Sequence, residues 1–254
     1  GMETRAFDIG MIAQVLPDLL SYLDVTLLVG FVSIALGSLL GGLLAWANIS
    51  GTRPLRWLTV SHVYVMRCTP SIVLLFIVFY GLPKLAFAVF DYDMNDLHRA
   101  VFAIITFTLL FGAYISEVFR AAYKAVPRGQ YEAAVSAGLT PFQAFRHVML
   151  GQAAIIALPN FGNATINLLK EGSLAYTIGL IDLIGKGNLI IAQNFGAYGI
   201  EVYLAAMLIY WVLVLLLEQG FALVEKRLDV GTSLRVNTTK SPTLRGGDAV
   251  GTGS

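Results

Sequence analysis

Asn160, Asn163, Asn167, Lys170 and Glu171 are the residues whose types and spacing best suggest shared chemistry. Wound at 3.6 residues per turn, they fall within about 100° of arc. Amides ending in a cation and an anion are costly against hydrocarbon, so such a face turns to a protein interior or to water. Two readings fit. The stripe lines a path for a polar or zwitterionic solute, or it hydrogen-bonds neighbouring helices, with Lys170 and Glu171 as an end cap. Glu117 and Arg120 lie three apart, with Lys124 a turn later. They form either an i,i+3 ion pair or a gate. A third constellation sits in the loop 124–150. Pro127-Arg128-Gly129-Gln130-Tyr131-Glu132-Ala133-Ala134 leads to Gly138, Arg146 and Val148. The segment is polar and helix-capable, and it lies between two long apolar runs. That pattern suits docking. Ala133 and Ala134 add little bulk, Glu132 offers a carboxylate to a basic partner, and Gly138 lets the chain turn. Thr140 before Pro141 can cap the next helix.

Other chemistries lack support. His62, His98, His147 and the single Cys68 are scattered without metal-ligand spacing, so no metal site is expected. The stretch from Gly179 to Gly185-Lys186-Gly187 has one residue too many between its glycines for a phosphate-binding loop. Gly187 also stands where that loop needs Ser or Thr. No nucleophile, base and orienting group come together. One cysteine allows no internal disulfide. A net charge of +1 gives no reason to expect nucleic acid.

The elements that must position these groups are membrane spans. Of 254 residues, 57% are hydrophobic and 13% charged, with a mean hydropathy of +0.73. A soluble domain carries roughly 25% charged residues, so most of this chain faces lipid. A bilayer core needs ~20 mainly apolar residues per helix. The windows 19–47, 70–90, 100–123, 152–169 and 200–223 qualify, the fourth being interrupted by its asparagines. The run 174–191 is broken by Gly179, Asp182, Gly185, Lys186 and Gly187. It reads as a short outer helix and loop, with a sixth span as the minority alternative. The expected class is an all-α integral membrane protein of about five transmembrane helices.

Lys and Arg cluster in alternate connections: Arg53, Arg56 and Arg67; Arg120 to Arg146; Lys226 and Arg227. The positive-inside rule then places the N-terminus outside and the C-terminus in the cytoplasm. Residues 55–67 suit an interfacial helix or an extension of the second span. In the first span Ser33, Gly37, Gly41 and Ala45 recur every four residues, which favours close helix packing. Gly1 ahead of Met2 reads as a residue added before a natural start, and no removable signal peptide is expected. The membrane domain covers 1–230. The tail 231–254, rich in Thr, Ser and Gly, is expected to be a disordered, cytoplasmic segment.

These motifs resemble a known family. Glu132-Ala133-Ala134, three residues, Gly138, nine residues and the aliphatic Val148 resemble the EAA loop of ABC importer permeases. Arg67-Cys68-Thr69-Pro70 is similar to the Arg-Gly-Thr-Pro of the polar amino-acid uptake subfamily. Gly81-Leu82-Pro83, the run Ala113–Arg120, and Gly129-Gln130 ahead of Glu132 also fit. Lys170-Glu171-Gly172-Ser173-Leu174, then Ile178-Gly179, resembles the subfamily's Lys-Asp-Thr-Ser-Leu segment. The likeness runs from about residue 20 to 225. It departs at Leu150-Gly151, where Leu-Pro is usual, at Cys68 for glycine, and at Glu171-Gly172 for Asp-Thr.

The resemblance implies a MetI-like permease subunit in a bacterial inner membrane, paired with an identical or homologous subunit. Two cytoplasmic ATPase subunits, which hold ATP and magnesium, and an extracytoplasmic solute-binding protein complete the importer. On this reading the chain carries no cofactor and is not itself an enzyme. Gly129, Gln130, Glu132, Ala133, Ala134 and Gly138 couple to the ATPase. A polar amino acid passes Asn160, Asn163, Asn167, Lys170 and Glu171. The alternative is an ion-gradient-driven secondary transporter, but such carriers often show repeated halves and need no docking loop. A non-transporting scaffold or receptor subunit leaves the amide stripe unexplained.

Overall fold

In a bilayer each backbone polar group must be satisfied within its own segment, which selects helices for a chain this apolar. The computed structural model describes residues 6–236, and among them every regular element is helical. Short α1 (Ile9–Leu20) is capped by Asp8, whose carboxylate accepts from the Gly10 amide at 2.9 Å, and it buries Val15 and Leu19. Then follow α2 (Leu23–Ser50), α3 (Arg53–Cys68), α4 (Ser71–Phe90) and α5 (Arg99–Ala125). Two short helices, α6 (Arg128–Ser136) and α7 (Pro141–Ala144), lead through a π-helical turn, Phe145–Met149, into α8 (Leu150–Glu171). A 3₁₀ turn, Gly172–Ile178, precedes α9 (Leu183–Gln193) and α10 (Gly199–Val236).

Four helices are long and apolar enough to cross a membrane: α2, α4, α5 and the Gly199–Leu228 part of α10. The run Pro141–Ile178 and α9, bent by 46° against each other, qualify together, and taken as one broken crossing they make a fifth. At 11 residues, α9 is about 16 Å long, about half a hydrocarbon core. It is the expected short helix, with no separate sixth crossing.

Residues 55–67 form part of α3, a helix of its own. Thr69 is extended (φ −97°, ψ 126°) ahead of Pro70, because the proline ring disfavours helical backbone in the preceding residue. α3 buries Thr59 and Val63 and leaves Trp57, Leu58, Tyr64 and Val65 exposed. At its C-terminal end α10 continues to Val236. Extending an existing helix costs little per residue compared with starting one. The rest of the tail lies outside the described residues.

The frame is the α2–α5 seam. Phe107, Phe111 and Ile115 of α5 enter a core with Val29 and Ile34 of α2 and Leu168 and Leu169 of α8. The small-residue stripe makes the approach possible. A Cβ on Gly37 would lie 2.8 Å from Phe111 Cδ1. One on Gly41 would meet Ile115, and would sit 3.0 Å from the Gly112 carbonyl oxygen. Gly112 answers from the other helix, where a Cβ would lie 2.8 Å from Leu40 Cδ2.

A second cluster joins α1, α9 and α10 through Leu19, Leu183, Ile190 and Val202. Buried Asp182 caps α9, its Oδ1 accepting from the Gly185 amide at 2.8 Å. Burial pushes its carboxyl up to about 6 against the pull of those amides. The Leu183 amide donates to Thr26 Oγ1 at 3.1 Å, tying α9 to α2. Lys186 stands over the Tyr22 ring at 5.5 Å, and Gly179 ends the 3₁₀ turn at φ +84°. Turn-making and packing thus account for the glycine-lysine stretch.

Gly41→Ala and Gly42→Ala separate packing from helix propensity. A Cβ on Gly42 meets nothing within 4 Å, so that variant should hold its melting temperature or gain slightly. Gly41→Ala should destabilise by about 1–3 kcal/mol through overpacking. Thermal melts of the detergent-solubilised protein, followed by size exclusion, check the ordering.

Candidate functional site

The break between α3 and α4 builds the site. Because the helix stops at Cys68 and restarts at Ser71, the N-terminus of α4 opens toward α5 and α8. There a cavity of about 280 Å³ is lined by Met66, Arg67, Thr69, Ser71, Leu110, Phe111, Tyr114, Ala164, Asn167, Leu168 and Glu171. Ligand pockets for drug-sized molecules run from ~300 to 1,000 Å³, so this one suits a smaller solute. Ser71 Oγ donates to Glu171 Oε2 at 2.8 Å, joining positions a hundred residues apart. The positive end of the α4 dipole favours an anion here. Arg67 adds a cation and Glu171 an anion, so the cavity offers complementary groups to both ends of a zwitterion.

Asn160, Asn163, Asn167, Lys170 and Glu171 are all exposed along α8, while Ala153, Ala157, Gly162, Ala164, Thr165, Leu168 and Leu169 turn inward. The stripe therefore faces away from this chain's own core. Only Asn167 and Glu171 reach the cavity; Asn160, Asn163 and Lys170 continue the polar face outside it. The side chains of the three asparagines and of Lys170 make no hydrogen bond with the described residues. The glue reading, if it applies, therefore needs a second chain.

Glu117 and Arg120 form the expected ion pair. Arg120 Nη2 lies 2.6 Å from Glu117 Oε2, and Nε donates to Oε1 at 3.2 Å. The pair lines another cavity, of about 580 Å³, with Asn48, Tyr64, Cys68 and Arg67. Arg67 thus borders both spaces. Arg67, Thr69, Ser71 and Tyr114 were not among the path residues expected from the α8 stripe. The available signal was the Thr69-Pro70 dipeptide, which breaks a helix where the lining must change direction.

The loop 124–150 folds as a helix, a turn and a second helix. α6 leaves Gly129, Gln130, Glu132 and Ala133 exposed and buries Ala134. Ala134 therefore belongs to the inward face, and Ala133 is free for an outside contact. The helix ends in a Schellman turn. The Leu139 amide donates to Ala134 O at 3.1 Å and the Gly138 amide to Val135 O at 2.9 Å, with Gly138 at φ +95°. Thr140 and Gln143 then form a capping box at 3.2 and 2.9 Å. At the unusual Leu150-Gly151 step the helix runs on unbroken from the π turn.

Four to five candidate membrane spans, a helix with a polar outer face and an exposed short helix on a long loop fit a transport permease. The chain belongs to the family described as "Binding-protein-dependent transport system inner membrane component", which it matches over residues 33–230. It is the multi-pass permease component of an ABC importer. It is 38% identical over 224 residues to the L-cystine transport system permease protein TcyL of Bacillus subtilis (strain 168), covering 88% of this chain and 92% of that protein. It is 34% identical over 213 residues to the arginine transport system permease protein ArtQ of the same organism, covering 84% and 93%. In structure it is similar to a crystallised amino acid ABC transporter with histidines. That likeness has a TM-score of 0.76 and 29% identity, and covers 88% of this chain and 100% of that one. Family and fold decide against an ion-gradient carrier.

Gly138 needs its glycine for backbone angle, since a Cβ there meets nothing within 4 Å. Gly138→Ala should loosen the turn by about 1 kcal/mol or more and raise amide exchange across residues 128–140. Gly129→Ala, which has ordinary φ and open space, should not. Hydrogen exchange with mass spectrometry reads both.

Proposed function

We propose that this chain conducts a polar amino acid across the inner membrane as one half of an ATP-driven importer. The observation that carries the reading is the outward polar face of α8 running into the cavity where Glu171, Ser71 and Arg67 converge. Such a face is expensive against lipid. A second permease subunit, identical or homologous, covers it and leaves a watery path between the two. Glu171 receives the solute's ammonium group, and Arg67 with the α4 N-terminus receives its carboxylate. The relatives' named solutes, L-cystine and arginine, are both polar amino acids.

The remaining parts follow the same logic. The clustered Arg and Lys put the loop 124–150 and the C-terminus in the cytoplasm and the N-terminus outside. There α6 presents Glu132 and Ala133 to an ATPase subunit that carries ATP and magnesium; this chain supplies no ATP site. Its short capped helix, held by Gly138 and Thr140, moves as a lever when the ATPase closes. An extracytoplasmic binding protein delivers the solute to the opposite face. The Glu117–Arg120 pair, beside Arg67, serves as a gate between the binding cavity and the inner side.

Selectivity is the deciding test. Asn163→Leu, Asn167→Leu and Glu171→Gln are assembled with their partners and assayed for uptake of acidic, neutral and basic amino acids, normalised to assembled complex. Losing a hydrogen bond to a charged group costs ~1.5–3 kcal/mol, so Glu171→Gln should lower uptake of its preferred solute by roughly tenfold or more. An unchanged preference in all three variants would leave the stripe with only a gluing role. For topology, Asp93→Cys and Phe195→Cys in a Cys68→Ser background should react with an impermeant thiol reagent added outside intact cells. Gln130→Cys should react only after permeabilisation; the reverse pattern would invert the orientation.

A further inference from the structure

The largest of the cavities described lies away from the α8 stripe. It measures about 960 Å³, between the α2–α3 corner and α6. Arg56 comes from the first turn of α3, Lys124 from the last turn of α5, and Arg128 from the start of α6. Glu132 is the one carboxylate in the lining, and Tyr123 and Tyr131 add hydroxyls. The lining charge is thus positive, three cations against one anion. Among the described residues the one ion pair is Glu117–Arg120, so none of these cations has an ion-pair partner there. Arg56 spends its Nε on the Asn48 carbonyl at 3.0 Å, which aims the guanidinium and leaves its terminal nitrogens without a partner among the described residues.

Depth is marked by tryptophan. Trp46, one turn before the end of α2, and Trp57, next to Arg56, are 62% and 69% exposed. Indoles concentrate at the boundary between hydrocarbon and headgroups. Asn48 and Arg56, which line the cavity, lie between or beside these two anchors in sequence. The cavity therefore opens at headgroup depth. With the loop on the cytoplasmic side, as proposed above, that is the inner leaflet. Basic pockets between membrane helices on this side take anionic headgroups. The solute path is a poor claimant, because no residue of the α8 stripe lines the cavity.

We infer that this cavity binds the phosphate-bearing headgroup of an anionic phospholipid from the inner leaflet. Arg56, Lys124 and Arg128 hold the phosphate, and the acyl chains lie along the apolar outer face of α3. The site joins two spans to the coupling helix, so an occupied headgroup stiffens the joint through which α6 moves. The inference rests on the proposed orientation but not on which solute is carried.

The test uses the assembled complex of permease and ATPase, purified in a neutral detergent and titrated with dioleoyl-phosphatidylglycerol under native mass spectrometry. The expected result is one retained lipid per permease chain. Arg56→Gln with Lys124→Gln should lower apparent affinity about tenfold or more, given the contribution of each near-surface cation. Phosphatidylcholine at the same concentration should be retained no better by wild type than by the variant. Three results would overturn the proposal: equal retention of phosphatidylglycerol by both proteins; displacement of the lipid by millimolar inorganic phosphate, which makes a free anion the ligand; or retention only after the ATPase is removed, which assigns the cations to that partner. Uptake by the same wild-type preparation in vesicles is recorded alongside. A complex that transports but retains no lipid refutes this site alone, whereas a complex that does not transport refutes the function proposed above.

Discussion

The absence of water from a bilayer core governs where this chain can place a polar atom. An unsatisfied backbone or side-chain group there costs several kcal/mol. Several hydroxyls on the spans accordingly turn back on their own helices, although the buried hydroxyls of Ser33, Thr108 and Thr165 find no partner among the described residues. Ser38 donates to Ile34 O at 2.6 Å, Thr106 to Phe102 O at 2.8 Å and Ser116 to Ala113 O at 2.7 Å. Glu117 and Arg120 neutralise each other within one turn. Against that economy the α8 stripe stands out, since its side-chain amides and the Lys170 ammonium find no partner among the described residues. The same constraint that silences polar groups elsewhere makes this face a place for water, solute or another subunit.

The site depends on a rigid frame that contributes almost no chemistry. Gly37, Gly41 and Gly112 let α2 and α5 touch backbone to side chain, and α8 packs on the same core through Leu168 and Leu169. That seats Glu171 opposite the α4 N-terminus. At the other end, Ala122, Val126, Met149, Ala153 and Ala157 bind α5 to the start of the fifth span. Partly buried Tyr131 brings α6 onto this cluster. A displacement of α6 therefore pulls on the two helices that bear the ion pair and the amide stripe. The cavity groups of α8 and helix α6 share one mechanical element although more than thirty residues separate Glu171 from α6.

Much of this was legible because it is local. Apolar windows read out the spans. The period of four in Ser33, Gly37, Gly41 and Ala45 read out a packing seam, and Thr140-Pro141 read out a cap. The asparagine stripe was visible because helical geometry alone puts its members on one face. The Ser71–Glu171 hydrogen bond was not visible, since it depends on how two spans cross. The role of Arg67 was likewise hidden: a cation before a Thr-Pro break says that a helix ends, but not which cavity the end faces. α10 runs on to Val236 through residues whose composition would not start a helix, because an established helix extends easily.

The outward direction of the amide stripe also bears on how the protein is made. A single copy released into the membrane shows lipid three amides, an ammonium group and a carboxylate along one span. It is thus incomplete as a membrane solute, even though its backbone and core are fully formed. On the pairing proposed above, its stability in the cell is tied to the supply of a covering subunit, and balanced synthesis of the two halves becomes a condition of survival for each.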